Sequence, residues 1–170
     1  MAIDEDTVSR IESLRRLRSS LNDMEGSQVT LLGDVMLDRY HHGYANNLNS
    51  IAPVPVLKIF QTDESPGAAA HIARGLHSIG LDVDFHTFVG NDREGNAIVD
   101  MLIEDGIAVN GIESVQDRHT LVKIRFFGSR ESLLEESQIL LQADRGPLDP
   151  IEDLMSEKLA TNALKQLANS

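Results

Sequence analysis

Cysteine and tryptophan are both absent from the 170 residues, and aromatic side chains make up only 4% of them. The lack of cysteine excludes disulfides and thiolate catalysis in this sequence and agrees with a reducing compartment. Positive charge is also scarce, because 15 Lys and Arg face 27 Asp and Glu, for a net charge of -12. Such an acidic surface repels nucleic-acid phosphates and anionic lipids, so we expect neither nucleic acid nor a membrane surface as a partner.

Long hydrophobic runs are missing as well. No apolar stretch approaches the ~20 residues of a membrane-spanning helix, and the opening residues MAIDEDTVSR are acidic where a signal peptide is basic and apolar. We therefore expect a cytoplasmic protein. The apolar content of 41% is enough for a folded core, and the length fits one domain or part of one.

The spacing of apolar residues predicts an α/β fold. Apolar residues at steps of three and four between Val8 and Leu21 indicate an amphipathic helix that ends near Gly26. Strand-like and helix-like segments then alternate, which is typical of a layered α/β domain. We accordingly divide the chain into an N-terminal helix (1–26) and an α/β domain (27–170). The predicted helices of that domain cover 67–79, 94–104 and 150–167, and its main strands cover 28–34 and 83–89. Two segments with little helical signal, near 36–60 and 119–142, are predicted to be ribbons, partly core and partly a lid over the ligand edge.

A polar turn follows the first predicted strand. The β-prone run 29–32 ends at Gly33-Asp34, and open α/β sheets bind ligands at the carboxyl ends of their strands. Asp34 and Asp38 bracket three apolar residues, so one or both carboxylates could accept hydrogen bonds from sugar hydroxyls. Asp34 is the better ligand candidate, because Asp38 can instead cap a turn or pair with Arg39.

Two further groups of residues carry binding chemistry. Gly67 and Ala68 stand at the start of a helix, where a ligand can approach backbone N–H groups, although tight helix packing explains them equally well. Lys123 and Arg125 share one face of a predicted strand, where two cations could hold a phosphate or simply be solvated. Asp92 is placed to cap the next helix. The six histidines are dispersed, so we expect no dedicated transition-metal site.

Five segments in this order resemble the first half of a ribokinase-like (PfkB) carbohydrate kinase, and among these most closely a heptose 7-phosphate kinase domain. They are GDVMLDRY (33–40), APVPVLK (52–58), PGAAAHIARGLHSIG (66–80), FVGNDREG (88–95) and HTLVKIR (119–125). The resemblance implies ATP-dependent, Mg²⁺-assisted phosphorylation of a sugar hydroxyl. It also implies that Asp34 faces the sugar and that Lys123 and Arg125 lie near its phosphate. Ala68 and His71 stand where the family has a glycine and an asparagine of its sugar signature.

One family motif is missing from the sequence. The Gly-Ala-Gly-Asp segment, which in the family supplies the anion hole and the catalytic base, does not occur in the 170 residues. The resemblance therefore implies an incomplete ribokinase-like fold without its C-terminal half, which binds a sugar phosphate but is inactive by itself. The alternatives are a non-catalytic sugar-phosphate-binding or dimerisation module and a decayed kinase fragment. A homodimer through the lid ribbons, or a complementary half, is the expected partner.

Overall fold

The computed structural model describes residues 5–129, 137–147 and 153–168. In chain order the elements are α1 (Glu5–Met24), β1 (Gln28–Leu32), β2 (Val35–Leu48), β3 (Pro55–Ala68), α2 (Ala69–Ser78), β4 (Asp82–Gly90), α3 (Arg93–Glu104), β5 (Ile112–Val115), β6 (Val122–Ser129), β7 (Gln138–Arg145) and α4 (Asp153–Leu167).

Strands β1, β4 and β5 form a parallel three-stranded sheet in the order β1-β4-β5. Strand β4 is buried along almost its whole length, as its continuous apolar sequence predicts for the centre of a parallel sheet. Helices α2 and α3 both pack beside this strand, because each places a stripe of small or aliphatic side chains toward it. The fully buried centre of this core includes Phe85, Ile98 and Leu102.

The other four strands form a second, mixed sheet in the order β3-β2-β6-β7. Strands β2 and β3, of 14 residues each, form an antiparallel hairpin. Strand β6 pairs with β2 in parallel, and β7 pairs with β6 in antiparallel orientation. Of the ribbons predicted for 36–60 and 119–142, residues 36–48, 55–60, 122–129 and 138–142 are strands, whereas 49–54, 119–121 and 137 are not. Residues 130–136 of the second segment lie outside the described residues, as does the predicted start of the last helix at 150–152.

The four-stranded sheet grows directly out of the core. Strand β2 begins three residues after β1 ends, and its Leu37 is fully buried beside Val122 of β6. Strand β2 ends in three exposed residues, and most residues of β3 and β7, which form the two edges, are exposed. The base of this sheet is therefore part of the core, and its outer part stands over one end of the three-stranded sheet.

Helix α1 confirms the predicted N-terminal helix, and its apolar stripe is exposed. The side chains of Leu14 and Leu17 are 65% and 57% exposed, respectively. The hydrophobic partner surface that the pattern calls for does not occur among the described residues. None of the helices in the described ranges is long and apolar enough to cross a membrane.

Candidate functional site

A cleft of about 390 Å³ lies at the carboxyl ends of β1 and β4. This is the edge at which open parallel sheets bind their ligands. The lining residues come from the β1–β2 junction, the end of β4, the segment before β6, the segment after β7 and the first turn of α4. They are Asp34, Val35, Phe88, Val89, Gly90, Arg118, His119, Thr120, Leu121, Pro147 and Ser156.

Asp34 lies on the wall of this cleft, where its position after the first strand predicts a ligand residue. It is exposed to solvent, and its backbone carbonyl accepts a hydrogen bond of 3.0 Å from the N–H of Ala69, the first residue of α2. That bond ties the β1–β2 junction to the helix start. The carboxylate is consequently carried by a fixed piece of backbone and can accept hydrogen bonds from a polyhydroxyl ligand.

A row of polar side chains continues from the cleft along one face of the four-stranded sheet. We call it the polar face, and it comprises Asp38 and Tyr40 of β2, Lys123 and Arg125 of β6, and Gln142 and Asp144 of β7. The register sets Asp38 opposite Lys123 and Tyr40 opposite Arg125, with Asp144 and Gln142 opposite the same two β6 residues. The alternation of side chains along β6 also brings Leu121, which lines the cleft, to this face. Cleft and polar face are therefore continuous.

Arg125 is held in place on the polar face. Its Nη1 donates to Oδ1 of Asp38 at 2.8 Å, and its guanidinium carbon lies 5.3 Å from the centre of the Tyr40 ring. Both members of the ion pair are largely buried, with side chains 22% and 17% exposed. The alternative interpretation that Asp38 pairs with Arg39 is wrong, because Arg39 points to the opposite face of the sheet.

Lys123 differs from Arg125 although the two share a face. It lies between Asp38 and Asp144 in the register, yet its ammonium makes no ion pair with any described residue. The partner of Asp38 is Arg125 instead, and Asp144 accepts from the Gln142 amide at 3.1 Å. Lys123 is therefore a cation next to the cleft whose charge is not neutralised by a direct contact within the described chain.

Gly67, Ala68 and His71, at the end of β3 and the start of α2, differ in what they contribute to the cleft and the polar face. A Cβ at position 67 would collide with the Asp38 carboxylate, so Gly67 is what allows Asp38 to reach Arg125. Ala68 has φ 52° and ψ -126°, a backbone conformation that glycine adopts freely and alanine does not. His71 does not join the cleft: it is exposed and borders a separate depression together with Arg74 and Asp105.

Asp92 caps α3, as predicted, and it also binds Thr120, a contact that its sequence position does not reveal. It accepts from the N–H of Gly95 at 2.8 Å, and from both the N–H and the hydroxyl of Thr120 at 2.8 and 2.7 Å. The Thr120 hydroxyl in turn accepts from the N–H of Gly90 at 2.9 Å. Burial alone would raise the pKa of Asp92, but the hydrogen bonds from Thr120 and Gly95 outweigh it and lower that pKa. The start of β6 is thus fastened to the start of α3.

The first turn of α3 carries a second carboxylate that sequence reasoning missed. Glu94 is buried, and its Oε1 accepts from Arg39 of β2 at 3.1 Å and pairs with Arg145 of β7 at 2.6 Å. Burial again acts to raise the pKa of Glu94, and the bonds from Arg39 and Arg145 bring it below its ordinary value. Among the described residues, no cluster of three or more His, Asp or Glu is arranged to hold a metal ion.

Comparison with known proteins identifies the family of this chain. The family model described as pfkB family carbohydrate kinase matches residues 27–143. The chain belongs to this family. Its curated relatives include the bifunctional protein HldE of Shewanella sediminis, 30% identical over 164 residues, which span 88% of this chain and 33% of that protein. Another is HldE of Haemophilus ducreyi, 36% identical over 108 residues, or 64% of this chain and 22% of that protein.

Solved structures agree on the ribokinase-like α/β fold. A putative sugar kinase from Clostridium perfringens superposes with a TM-score of 0.56 at 16% identity, over 78% of this chain and 39% of the other. A putative ribokinase from Agrobacterium tumefaciens gives 0.53 at 19% identity, over 70% and 37%. The chain thus corresponds to a third or less of the length of these HldE relatives and to under two fifths of these structures.

Proposed function

We propose that this pfkB-family chain is the sugar-binding part of a cytoplasmic carbohydrate kinase whose substrate is D-glycero-D-manno-heptose 7-phosphate. The observation that carries the proposal is Lys123, a cation that makes no ion pair with any described residue and lies next to a cleft whose wall bears the Asp34 carboxylate. A sugar phosphate offers the two complementary groups, hydroxyls for the carboxylate and an anion for the ammonium. The HldE names of the relatives support a heptose as the sugar.

Each residue of the site has a distinct role in this proposal. Asp34 accepts hydrogen bonds from sugar hydroxyls and orients the ring. Lys123 binds the phosphate already on the sugar. Arg125, fixed by Asp38 and Tyr40, offers its remaining guanidinium N–H donors to the same face without leaving its partner. The four-stranded sheet then acts as the lid that covers the sugar, and the sugar is held in a defined position, which is the main requirement of phosphoryl transfer.

ATP and Mg²⁺ are the co-substrate and metal that the family implies, and the residues of this chain do not fit them. The nearest match to a phosphate-binding loop is the spacing of Gly90 and Gly95, but Asn96-Ala97 replaces the required Lys-Ser/Thr. A Cβ at Gly90 would strike the Arg118 carbonyl, and one at Gly95 would strike the Gly90 carbonyl. The chain itself fills that loop, so we assign it no nucleotide step and expect no catalysis from these residues alone.

Titration calorimetry of the chain against the heptose phosphate tests the proposal. We expect Asp34→Ala to abolish the binding heat. Lys123→Gln removes a charge-assisted contact of roughly 1.5–3 kcal/mol, which is about a 10- to 150-fold loss of affinity. Lys58→Gln, on an exposed lysine of the same sheet, is the matched control and should bind like the wild type. Mg-ATP should give no heat.

Four outcomes would contradict the proposal. Equal affinity of Lys123→Gln and wild type would remove the phosphate role of Lys123. No heat from the wild-type chain would favour a decayed fragment. A second polypeptide that carries the Gly-Ala-Gly-Asp motif can also be added. Heptose phosphate binding without turnover in that mixture would favour a non-catalytic binding module. Inorganic phosphate serves as the comparison ligand, because equal binding of phosphate and sugar phosphate would show that the sugar is not recognised.

We also propose that the lid strands pair two copies of the chain. Large apolar side chains on the edge strands β3 and β7 are about half exposed: Ile59 49%, Phe60 53%, Ile139 57% and Leu141 57%. Exposed apolar edge strands are prone to associate. Analytical ultracentrifugation should find a dimer that Leu141→Ser weakens, and a wild-type monomer would contradict the pairing. A complementary polypeptide with the missing motif is the alternative partner.

A further inference from the structure

The start of α3 contacts three strands of the four-stranded sheet and the segment that leads into the fourth. Asp92 accepts two hydrogen bonds from Thr120, next to β6. Arg93 lies 3.9 Å from Glu64 of β3. Glu94 accepts from β2 and from β7 through the two arginines described above. Asp92, Arg93 and Glu94 therefore connect the start of one helix to β2, β3 and β7 and to the segment just before β6.

Glu94 is the centre of this connection. Its side chain is only 10% exposed, and Arg39 is 12% exposed and also pairs with Glu64 at 2.6 Å. Glu64 lies directly opposite Arg39 in the hairpin register. The Glu94 carboxylate thus contacts β2 through Arg39 and β7 through Arg145, and Arg39 extends the contact to Glu64 of β3. These side chains lie on the sheet face opposite the polar face.

A purely stabilising role explains this cluster poorly. A buried ion pair recovers little more than its desolvation penalty, and apolar side chains of similar volume often stabilise a fold as well or better. Directional bonds between planar guanidinium groups and a carboxylate do something that apolar packing does not, because they fix the angle at which two elements meet. Here the two elements are the core helix α3 and the lid sheet.

We propose that Glu94 is a positioning residue that sets the lid sheet relative to α3 and thereby holds Lys123 at the right distance from the Asp34 cleft. The role of Lys123 in this proposal rests on the proposed sugar-phosphate function. The position of the four-stranded sheet relative to α3 does not, because the distance between them can be measured without a ligand. The two ideas can therefore fail separately.

The absence of cysteine makes spin labelling straightforward. One label is placed at Asp100 of α3, and the second at Gln61 of β3 or at Gln138 of β7, three positions that are exposed. Pulsed electron paramagnetic resonance then measures the distribution of distances between the label on α3 and the label on each edge strand of the four-stranded sheet. We expect one narrow distance in the wild-type background and, in Glu94→Gln, a broader distribution or a second, longer distance at both edges.

Two variants separate positioning from loss of folding. Arg145→Gln removes a 57% exposed side chain and leaves the bond between Arg39 and Glu94, so only the distance to Gln138 should broaden. Glu113→Gln is the matched control, since Glu113 is also a glutamate with two partners, Lys158 at 2.6 Å and Asn162 at 2.9 Å, but belongs to β5. It should leave both distances unchanged.

Unchanged distances in both Glu94→Gln and Arg145→Gln would overturn the proposal. If Glu94→Gln does not fold, Arg145→Gln tests the proposal instead. A broader distance distribution to Gln138 alone would support it, and an unchanged distribution would refute it. Heptose 7-phosphate titration adds the functional measurement: where the wild type binds, Glu94→Gln should bind about tenfold more weakly although it contacts no ligand. If the wild type does not bind but the distances broaden, positioning stands and the sugar-phosphate function fails.

Discussion

Replacing Ala68 by glycine should stabilise this protein. Ala68 has φ 52° and ψ -126°, where the methyl group crowds the backbone and where a non-glycine residue costs about 1–3 kcal/mol. The methyl is exposed, so little packing is lost with it. Glycine adds unfolded-state entropy that costs about 0.4–1 kcal/mol. The balance favours the variant by about 1.5 kcal/mol, which for a chain of this length raises Tm by about 3–6 °C.

Urea unfolding followed by circular dichroism measures this change as a shift of the midpoint at constant slope. Ala97→Gly is the matched control, because Ala97 lies inside α3 and glycine in a helix interior costs about 1 kcal/mol. Asp117→Gly is a second control at the other non-glycine residue with positive φ among the described residues, 59°. Aspartate tolerates that conformation better than alanine does, so its gain should be smaller.

Opposite signs for Ala68→Gly and Ala97→Gly are the decisive result. If Ala68→Gly destabilises the chain as Ala97→Gly does, position 68 does not hold the strained backbone, and the interpretation of Ala68 as a replaced glycine of the sugar signature loses its structural basis. If it stabilises, the same variant can be titrated with the heptose phosphate. The relaxed turn would then show whether Ala68 limits ligand approach at the start of α2.

Three further predictions concern the attachment of the four-stranded sheet and the core. Thr120→Val leaves the Gly90 N–H without its acceptor and removes the hydroxyl bond to Asp92, while the backbone bond to Asp92 remains. It should cost about 2–4 kcal/mol in urea unfolding; no loss would mean that water replaces the hydroxyl. Asp92 and Glu94 both have lowered pKa values, so their stabilisation is present above about pH 4 and is lost as pH falls through the folded-state pKa. Acid titration followed by circular dichroism should therefore be less steep in Glu94→Gln, and identical curves would contradict this. Leu37→Ala, at a fully buried position, should cost about 2–5 kcal/mol by urea unfolding, and a smaller loss would place Leu37 outside the core.

Local patterns were enough to predict most of the elements. The apolar run of β4, the helical spacing of α1 and the capping aspartate of α3 are properties of neighbouring residues, and the structure confirms each of them. The shared face of Lys123 and Arg125 also follows from a local rule, the two-residue period of a strand. The motif resemblance located the family, which the match over residues 27–143 confirms.

The pairings between distant segments could not be read in the same way. Asp38 and Arg125 are 87 positions apart, and their contact depends on the register between β2 and β6, for which the period of each strand gives no information. The orientation of His71 away from the cleft depends likewise on how α2 packs. The helix α2 was predicted, but the direction in which the side chain of His71 points was not.

By itself, therefore, the sequence determined the order and type of the elements, the family, and the candidate residues Asp34, Lys123 and Arg125. The tertiary structure decided which of the two cations has a carboxylate partner, and that Glu94 of α3 contacts arginines from two strands of the four-stranded sheet. The physical reason is that periodicity and capping act over a few residues, whereas ion pairs across strands and helices depend on register and packing between segments far apart in the chain.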